Sequence, residues 1–415
     1  MTRPAGIGSD LLLAYTFPPV GGGIARWMAE IARRYPAPGI LVSTGQHPDS
    51  QETDEQLGVA VDRLPIPTRR LGALQGLMLW SRRVAQLARG QDARFIWCGD
   101  ITPAGYPAKW THERVGTPFG ILLHGGDLLV LQHRIHRSAL KRRSARALLG
   151  AAAVLVANSE WTRGLCQAVL RELELDAMDG RVRTVPLGTD PDFFRPGVPT
   201  AGVRARYGLT DAGRWLLSVS RLEPHKGIDT MIRALARLDG SESDVRYAVV
   251  GAGESRRDLE ALALELGVGD RLHLLGGVPD ADLAALYNLA DVYVGASRRT
   301  AMSVEGFGIA LAEAASSGRP VVAGRSGGIP EAVKHAETGL LVDPESPEQV
   351  AESIRRLLRD PALAARFGQA GRREIERYYN WNRVAADLAA IAAEHGREEV
   401  RQRSSARRAR DPARP

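Results

Sequence analysis

Apolar positions along the 415-residue chain follow two alternating rhythms. Short runs rich in Leu, Ile and Val are separated by stretches whose apolar residues recur three or four positions apart. Continuous apolar runs suit strands covered on both faces, and the 3.6-residue rhythm suits helices lying on those faces. Each half therefore reads as a parallel sheet between helices. In the first half the pattern predicts strands at 10–15, 39–43, 95–98, 119–123, 154–158 and 182–185, with helices such as 24–35 and 74–88 between them. In the second half it predicts strands at 215–219, 246–250, 272–275, 292–295, 320–323 and 339–342. Helices at 227–238, 255–266, 280–290 and 347–359 intervene. Residues 186–197 hold three prolines and two glycines, which break both rhythms and mark a linker. The expected fold class is α/β, with two doubly wound Rossmann-like domains at 1–188 and 198–379. In such sheets ligands bind beyond the carboxyl ends of the strands, so two facing sheets would form a cleft.

Composition narrows the class. With 44% hydrophobic and 25% charged residues the chain is globular. Its longest apolar run, 147–157, has 11 residues, short of the ~20 a membrane span needs. The run at 11–14 reads as a strand rather than as a leader peptide. Two cysteines, Cys98 and Cys166, allow neither a disulfide framework nor an all-cysteine metal site, which fits a cytoplasmic protein. The net charge of +7 is uneven: residues 133–146 carry six cations and no acid. A second excess lies at 397–415, where seven arginines oppose three acids with almost no large apolar residue, so a disordered basic tail is expected. Basic patches attract nucleic acid, anionic lipid and phosphorylated substrates alike.

Several segments carry chemistry. Val304-Glu305-Gly306-Phe307-Gly308-Ile309-Ala310-Leu311-Ala312-Glu313 sets two carboxylates eight residues apart across a helix start. A helix beginning near Phe307 separates them by roughly 10 Å at ~1.5 Å per residue, too far for the ~5 Å carboxylate pair of a retaining hydrolase. The spacing suits one acid at a sugar and one at a ribose, with a diphosphate on the helix N-terminus between them. Ser220-Arg221-Leu222-Glu223-Pro224-His225-Lys226-Gly227 follows a strand and brings two cations into one loop, suited to a diphosphate. Residues 249–256 begin like a dinucleotide fingerprint, but Arg256 replaces the third glycine, so a tight turn that leaves Gly251 near a nucleotide is the better use. The pairs Asp190/Asp192 and Asp280/Asp282 match only a loose metal pattern, and no metal site is expected.

In the first half, Gly21-Gly22-Gly23 joins strand to helix and permits close backbone approach to an anion. His124-Gly125-Gly126-Asp127 closes another strand. Its histidine can contact a sugar, and Asp127 can accept a hydrogen bond from a hydroxyl or cap the next helix. The basic segment that follows reads as a solvated face or, through Arg137, Lys141 and Arg142, as an anionic-membrane contact beside the apolar Leu140, Leu148 and Leu149.

Taken as a set, these residues resemble the signatures of the family-four retaining glycosyltransferases of GT-B fold. The glycine loop, His124, Asn158-Ser159, the linker, Ser220–Gly227, Glu305 to Glu313 and Gly327-Gly328-Ile329-Pro330-Glu331 occur in the family's order from about residue 10 to 390. Ser297-Arg298-Arg299-Thr300 resembles bacterial phosphatidylinositol mannosyltransferases. The resemblance implies that Arg221 and Lys226 hold the donor diphosphate, that Glu313 binds the ribose and that Glu305 lies at the transferred sugar. It places the amides of Phe307, Gly308 and Ile309 on the diphosphate, Val278 at the nucleobase, His124 at the donor sugar, and Gly22 and Gly23 near the phosphates or the acceptor. A C-terminal helix at about 380–395 would pack back on the first domain. The implied activity is metal-independent, retaining hexosyl transfer without a cofactor, from a GDP- or UDP-linked sugar, with mannose favoured. The implied acceptor is lipid-linked or a glycan, and the enzyme would be cytoplasmic and peripheral on the inner face of the plasma membrane. No specific nucleic-acid partner is expected. Many relatives carry asparagine where this chain has Leu187. Two other readings remain: a nucleotide-sugar epimerase of the same architecture, which should lack the two cations and two glutamates, and a non-enzymatic sugar- or nucleic-acid-binding protein.

Overall fold

A computed structural model describes residues 10–66 and 73–410. The chain divides into two compact units. The first comprises residues up to Asn158, Thr162–Val185 and the chain from Trp381; the second comprises Ser159–Trp161 and Pro186–Asn380.

The first unit is built on strands β1 (Asp10–Ala14), β2 (Ile40–Gly45), β3 (Val61–Leu64), β4 (Ile96–Cys98), β5 (Phe119–Leu123), β6 (Val154–Ala157) and β7 (Val182–Thr184). They form a parallel sheet in the order β3-β2-β1-β4-β5-β6-β7. The second unit contains β8 (Trp215–Val219), β9 (Arg246–Val250), β10 (Leu272–Gly276), β11 (Val292–Gly295), β12 (Val321–Gly324) and β13 (Gly339–Val342). These too are parallel, in the order β10-β9-β8-β11-β12-β13. In each sheet the chain works outward from its first strand and then returns to that strand's other side. The strand order therefore reverses between β1 and β4, and again between β8 and β11. At such a switch the connections leave in opposite directions and open a crevice at the carboxyl ends. The loops after β1, β4, β8 and β11 are thus the ones placed to hold ligands.

The interior strands are buried on both faces, which explains their unbroken apolar runs: β1, β5, β6 and β12 have no exposed position. In the second unit one apolar cluster, including Met231, Ile232, Leu235 and Ile354, covers one face of the sheet, and another, including Leu286, Tyr287 and Ala314, covers the other.

Two expectations need correction. The edge strand β3 was not predicted: all four of its residues are only half buried, and Val-Asp-Arg-Leu carries too little apolar signal to stand out. The C-terminal segment does not lose its structure at 397, because one helix runs Trp381–Arg410. The scarcity of large apolar residues removes packing partners, not helix propensity. Arg, Ala, Glu and Gln favour helix, and extending an existing helix adds a hydrogen bond for each residue ordered. Residues 411–415 of that tail lie outside the described residues.

The same helix buries Trp381, Val384, Ala385, Leu388 and Ala392 and packs on helix Gly23–Arg34. His395 stacks on Phe95 with ring centroids 6.3 Å apart. Trp381, Val384 and Leu388 at about 1.5–3 kcal/mol each amount to a loss comparable to a whole domain's stability. A chain ending at Asn380 is therefore expected to lose cooperative melting of the first unit and to expose it to limited proteolysis. Unchanged melting and protease resistance would contradict this packing.

Candidate active site

Leaving β8, the chain keeps pairing with the segment after β9: Ser220 N donates to Val250 O at 2.9 Å and Leu222 N to Ala252 O at 3.0 Å. Gly251 fits this close approach because a Cβ there would lie 1.9 Å from Ser220 O. Packing alone therefore demands that glycine. The loop then makes a 3₁₀ turn, Pro224–Lys226, and enters helix Ile228–Leu235 through Gly227, whose φ is 69°. A Cβ on Gly227 would meet Ala296 O at 1.9 Å, so the backbone after β11 is pressed against this turn. Arg298 fastens the two segments further. Its amide donates to His225 O at 2.8 Å, and its guanidinium reaches Thr230 at 3.1 Å and Asp229 at 3.0 Å.

This clamp places Lys226 Nζ 2.5 Å from Glu305 Oε2, across a sequence separation of 79 residues. Burial works against ionisation of Glu305, but the charge and hydrogen bond of Lys226, aided by His225 and Arg221, outweigh it and hold the carboxyl below its usual range. Glu223 takes a bond from Arg221 and lies 3.3 Å from His225 Nδ1. Burial, with Lys226 adding to it, pushes the His225 imidazole down against the opposing pull of Glu223 and Glu305. The loop thus keeps one cation half buried and the other, Arg221, largely exposed.

Helix Ile309–Ser316 follows, starting two residues later than expected because Gly308, at φ 99°, forms its N-cap. Phe307 is buried ahead of it. The amides of Gly308 and Ile309 belong to this helix start, where backbone N–H groups favour anions. Glu313, inside the helix, is 2% exposed, and its Oε2 accepts the Tyr287 hydroxyl at 2.6 Å. Val278 lies just past β10 and packs on the core, while Gly251 N donates to Gly276 O at 2.7 Å. Gly328 N donates to Glu305 O at 3.0 Å, so the Gly327-Gly328 turn supports the acidic loop from behind. Its neighbour Glu331 accepts from the amides of Glu160 at 2.9 Å and Trp161 at 3.1 Å, both in the second unit's short segment Ser159–Trp161.

In the first unit, Gly22 precedes helix Gly23–Arg34 at φ 116°, and a Cβ there would meet nothing within 4 Å. His124 Nε2 lies 2.6 Å from Gly99 O, which can only accept, so that nitrogen carries the proton. The Trp27 ring meets the imidazole edge-on at 4.9 Å. Asp127 takes the capping alternative: its Oδ1 accepts from the amides of His124 at 3.0 Å and Leu128 at 2.9 Å. Burial pushes Asp127 up, and it pushes nearby Asp100 to about 6 despite the Ala104 amide and the charge of His124.

The basic segment is not one helix. Helices Gly126–Arg137 and Ala139–Ala151 meet at Ser138, whose extended backbone and side-chain bond from Lys141 N make it an N-cap. Arg142 is drawn onto the protein, to Glu172 O and to Glu174 at 3.4 Å, while Arg137 and Lys141 are exposed. The cationic face is therefore smaller than its sequence suggests.

Three participants escaped the sequence reading. Glu223 and Arg298 lie within quoted motifs but carried no assigned role; their partners, His225 and Asp229, are visible only in the folded loop. Tyr287 lies 26 residues before Glu313 in an ordinary helix and left no local signal. Among the described residues no cluster of His, Cys, Asp and Glu could hold a metal ion, and no helix is long and apolar enough to cross a membrane.

Residues 203–374 match the family model described as glycosyl transferases group 1, and residues 22–188 match the glycosyl transferase 4-like domain. The chain is 30% identical over 388 residues to a GDP-mannose-dependent alpha-(1-6)-phosphatidylinositol monomannoside mannosyltransferase of Mycobacterium tuberculosis, covering 91% of this chain and 96% of the relative. It is 31% identical to the Mycolicibacterium smegmatis protein of the same description, covering 94% and 100%. A D-inositol 3-phosphate glycosyltransferase of Thermobispora bispora is 36% identical over 52% of this chain and 50% of its own. Among solved structures, Anabaena Alr3699/HepE with UDP and glucose superposes with a TM-score of 0.75 at 21% identity, covering 94% of this chain and all of its own. Sucrose-phosphate synthase from Thermosynechococcus elongatus gives 0.74 at 23% identity, covering 94% and 99%. At these identities the structures establish the fold, two parallel-sheet α/β domains of GT-B type.

The Lys226–Glu305 pair makes a signed prediction. A carboxyl held below its usual value of 4.5 contributes stability above that pH and loses it as pH falls through the lower folded value. Lys226→Met leaves the half-buried carboxylate unpaired and should cost about 3 kcal/mol at pH 7 in urea unfolding. The gap between parent and variant should narrow as pH drops below about 4. An equal gap at both pH values would rule out the pair as the cause.

Proposed function

The chain belongs to the family of glycosyl transferases group 1, and from that premise we propose that it is a GDP-mannose-dependent mannosyltransferase acting on a lipid-linked acceptor. Full-length similarity to GDP-mannose-dependent relatives supports the donor, and the observation that carries the reading is the Lys226–Glu305 pair beside the start of helix Ile309–Ser316. Lys226 and Arg221 are cations of one loop, and the helix start adds backbone donors. Together they neutralise the charge that a nucleoside diphosphate gains as it leaves. No metal ion is required for that task. Glu305, ionised beside Lys226, faces the positive charge that develops on the transferred sugar, and Glu313 accepts from the ribose hydroxyls.

Transfer proceeds with retention by attack on the face from which the diphosphate departs. A donor phosphate oxygen accepts the proton of the attacking hydroxyl, so no separate protein base is needed. The C1–oxygen bond to the phosphate breaks as the bond to the acceptor oxygen forms. Fixed donors in the loop supply stabilisation without reorganising during the reaction. Arg137 and Lys141, exposed beside Leu140, add attraction to an anionic membrane surface on which a lipid-linked acceptor is presented.

With GDP-mannose and a phosphatidylinositol mannoside acceptor, Glu305→Ala and Lys226→Ala should each lower kcat/KM by roughly 10²–10³, and EDTA should leave the parent unchanged. The product anomer, read by NMR, should match the donor's. Full activity in both variants, or turnover of UDP-sugars alone, would overturn the reading.

In a separate sedimentation assay, liposomes containing anionic lipid should bind the parent. Arg137→Gln with Lys141→Gln should weaken binding by roughly thirtyfold at low salt, at ~1 kcal/mol per basic residue. Equal sedimentation of both proteins would dismiss the membrane contact.

A further inference from the structure

Glu313 is a carboxylate at 2% exposure, a costly arrangement unless donors are built around it. One of those donors is Tyr287, from helix Asp280–Leu289, whose hydroxyl donates to Glu313 Oε2 at 2.6 Å. The tyrosine is itself fully buried and held on two sides. Phe194 meets its ring edge-on at 5.5 Å, and Tyr293 lies tilted against it at 5.6 Å. Neither neighbour is loose. Phe194 O accepts from Ser316 Oγ at 2.6 Å and from Arg372 at 2.7 Å, and the Tyr293 hydroxyl accepts from Val219 N at 3.3 Å. The ring of Tyr287 is thus held from two sides with its hydroxyl on the carboxylate, which lies in the helix whose N-terminus follows Glu305.

We infer that Tyr287 is a positioning residue for the donor nucleotide: its hydroxyl fixes the plane of the Glu313 carboxylate, so that the enzyme discriminates for a ribose with both hydroxyls. This rests on the reading of Glu313 as the ribose acceptor and adds to it a residue that touches no ligand. The physical argument is preorganisation. A carboxylate that must find its orientation on binding loses part of the interaction to ordering, whereas one already held by a buried phenol does not. Removing the phenol oxygen keeps the ring stack and the acid and takes away the bond that orients it.

The test measures binding of GDP and of 2′,3′-dideoxy-GDP by calorimetry on the full chain, as parent, Tyr287→Phe and Glu313→Gln. The parent should prefer GDP by tenfold or more, and Glu313→Gln should bind the two nucleotides alike. Tyr287→Phe should reduce the preference about tenfold while binding dideoxy-GDP as the parent does. If Tyr287→Phe keeps the full preference while Glu313→Gln loses it, the inference fails and the ribose reading stands. If Glu313→Gln keeps the preference, or the parent does not bind GDP, the ribose reading itself fails. A Tyr287→Phe protein that unfolds, or that weakens both nucleotides by one factor, would assign the hydroxyl a purely structural role and overturn the inference.

Discussion

The contact between Lys226 and Glu305 organises the second unit's carboxyl-end crevice. It joins the turn after β8 to the segment after β11, the two connections that diverge where the strand order reverses. Neither charge would be tolerable there alone, since each is largely withdrawn from water. Paired, they hold one loop against the other and leave the carboxylate ionised despite its burial. The surrounding features serve this closeness. Gly227 admits the backbone of Ala296, Arg298 ties its own loop to His225 and Asp229, and the Gly328 amide supports the Glu305 carbonyl.

The same closeness explains how chemistry can follow from so few groups. A glycosyl transferase must stabilise a departing diphosphate and a sugar that turns positive, charges of opposite sign a few bonds apart. A lysine and a glutamate already in contact present both signs at that separation, and a helix start adds oriented dipoles on the anionic side. In the proposed reading Arg221 adds a second cation from the exposed side of the loop, where it pairs with Glu223. Glu313 is different in kind, a deeply buried acid fixed by a phenol, suited to recognising a neutral polyol rather than to moving charge.

Much of this was legible in the chain. Strands buried on both faces announce themselves as unbroken apolar runs, so six of the second unit's six strands lie where the pattern places them, β8, β9, β11 and β13 with unchanged bounds. Glycine and charge spacing likewise marked the loop at 220–227 and the acidic segment at 305–313. The edge strand β3 was illegible because Val-Asp-Arg-Leu, half buried throughout, carries too little apolar signal. The break at Ser138 was missed because the cationic run dominated a single capping serine. Arg142 looked available for a membrane because its partners on Glu172 and Glu174 come from a later helix and turn, which only folding brings near. Tyr287 illustrates the general limit: a side chain that positions another through a tertiary hydrogen bond has no spacing to betray it.

The most direct test of the central claim is a crystal structure of the full chain with GDP-mannose bound. The account predicts the diphosphate within ~3 Å of Lys226 Nζ and of the Gly308 and Ile309 amides, with Glu305 beside the mannosyl ring. A diphosphate bound elsewhere, with Lys226 and Glu305 still paired and untouched, would contradict it.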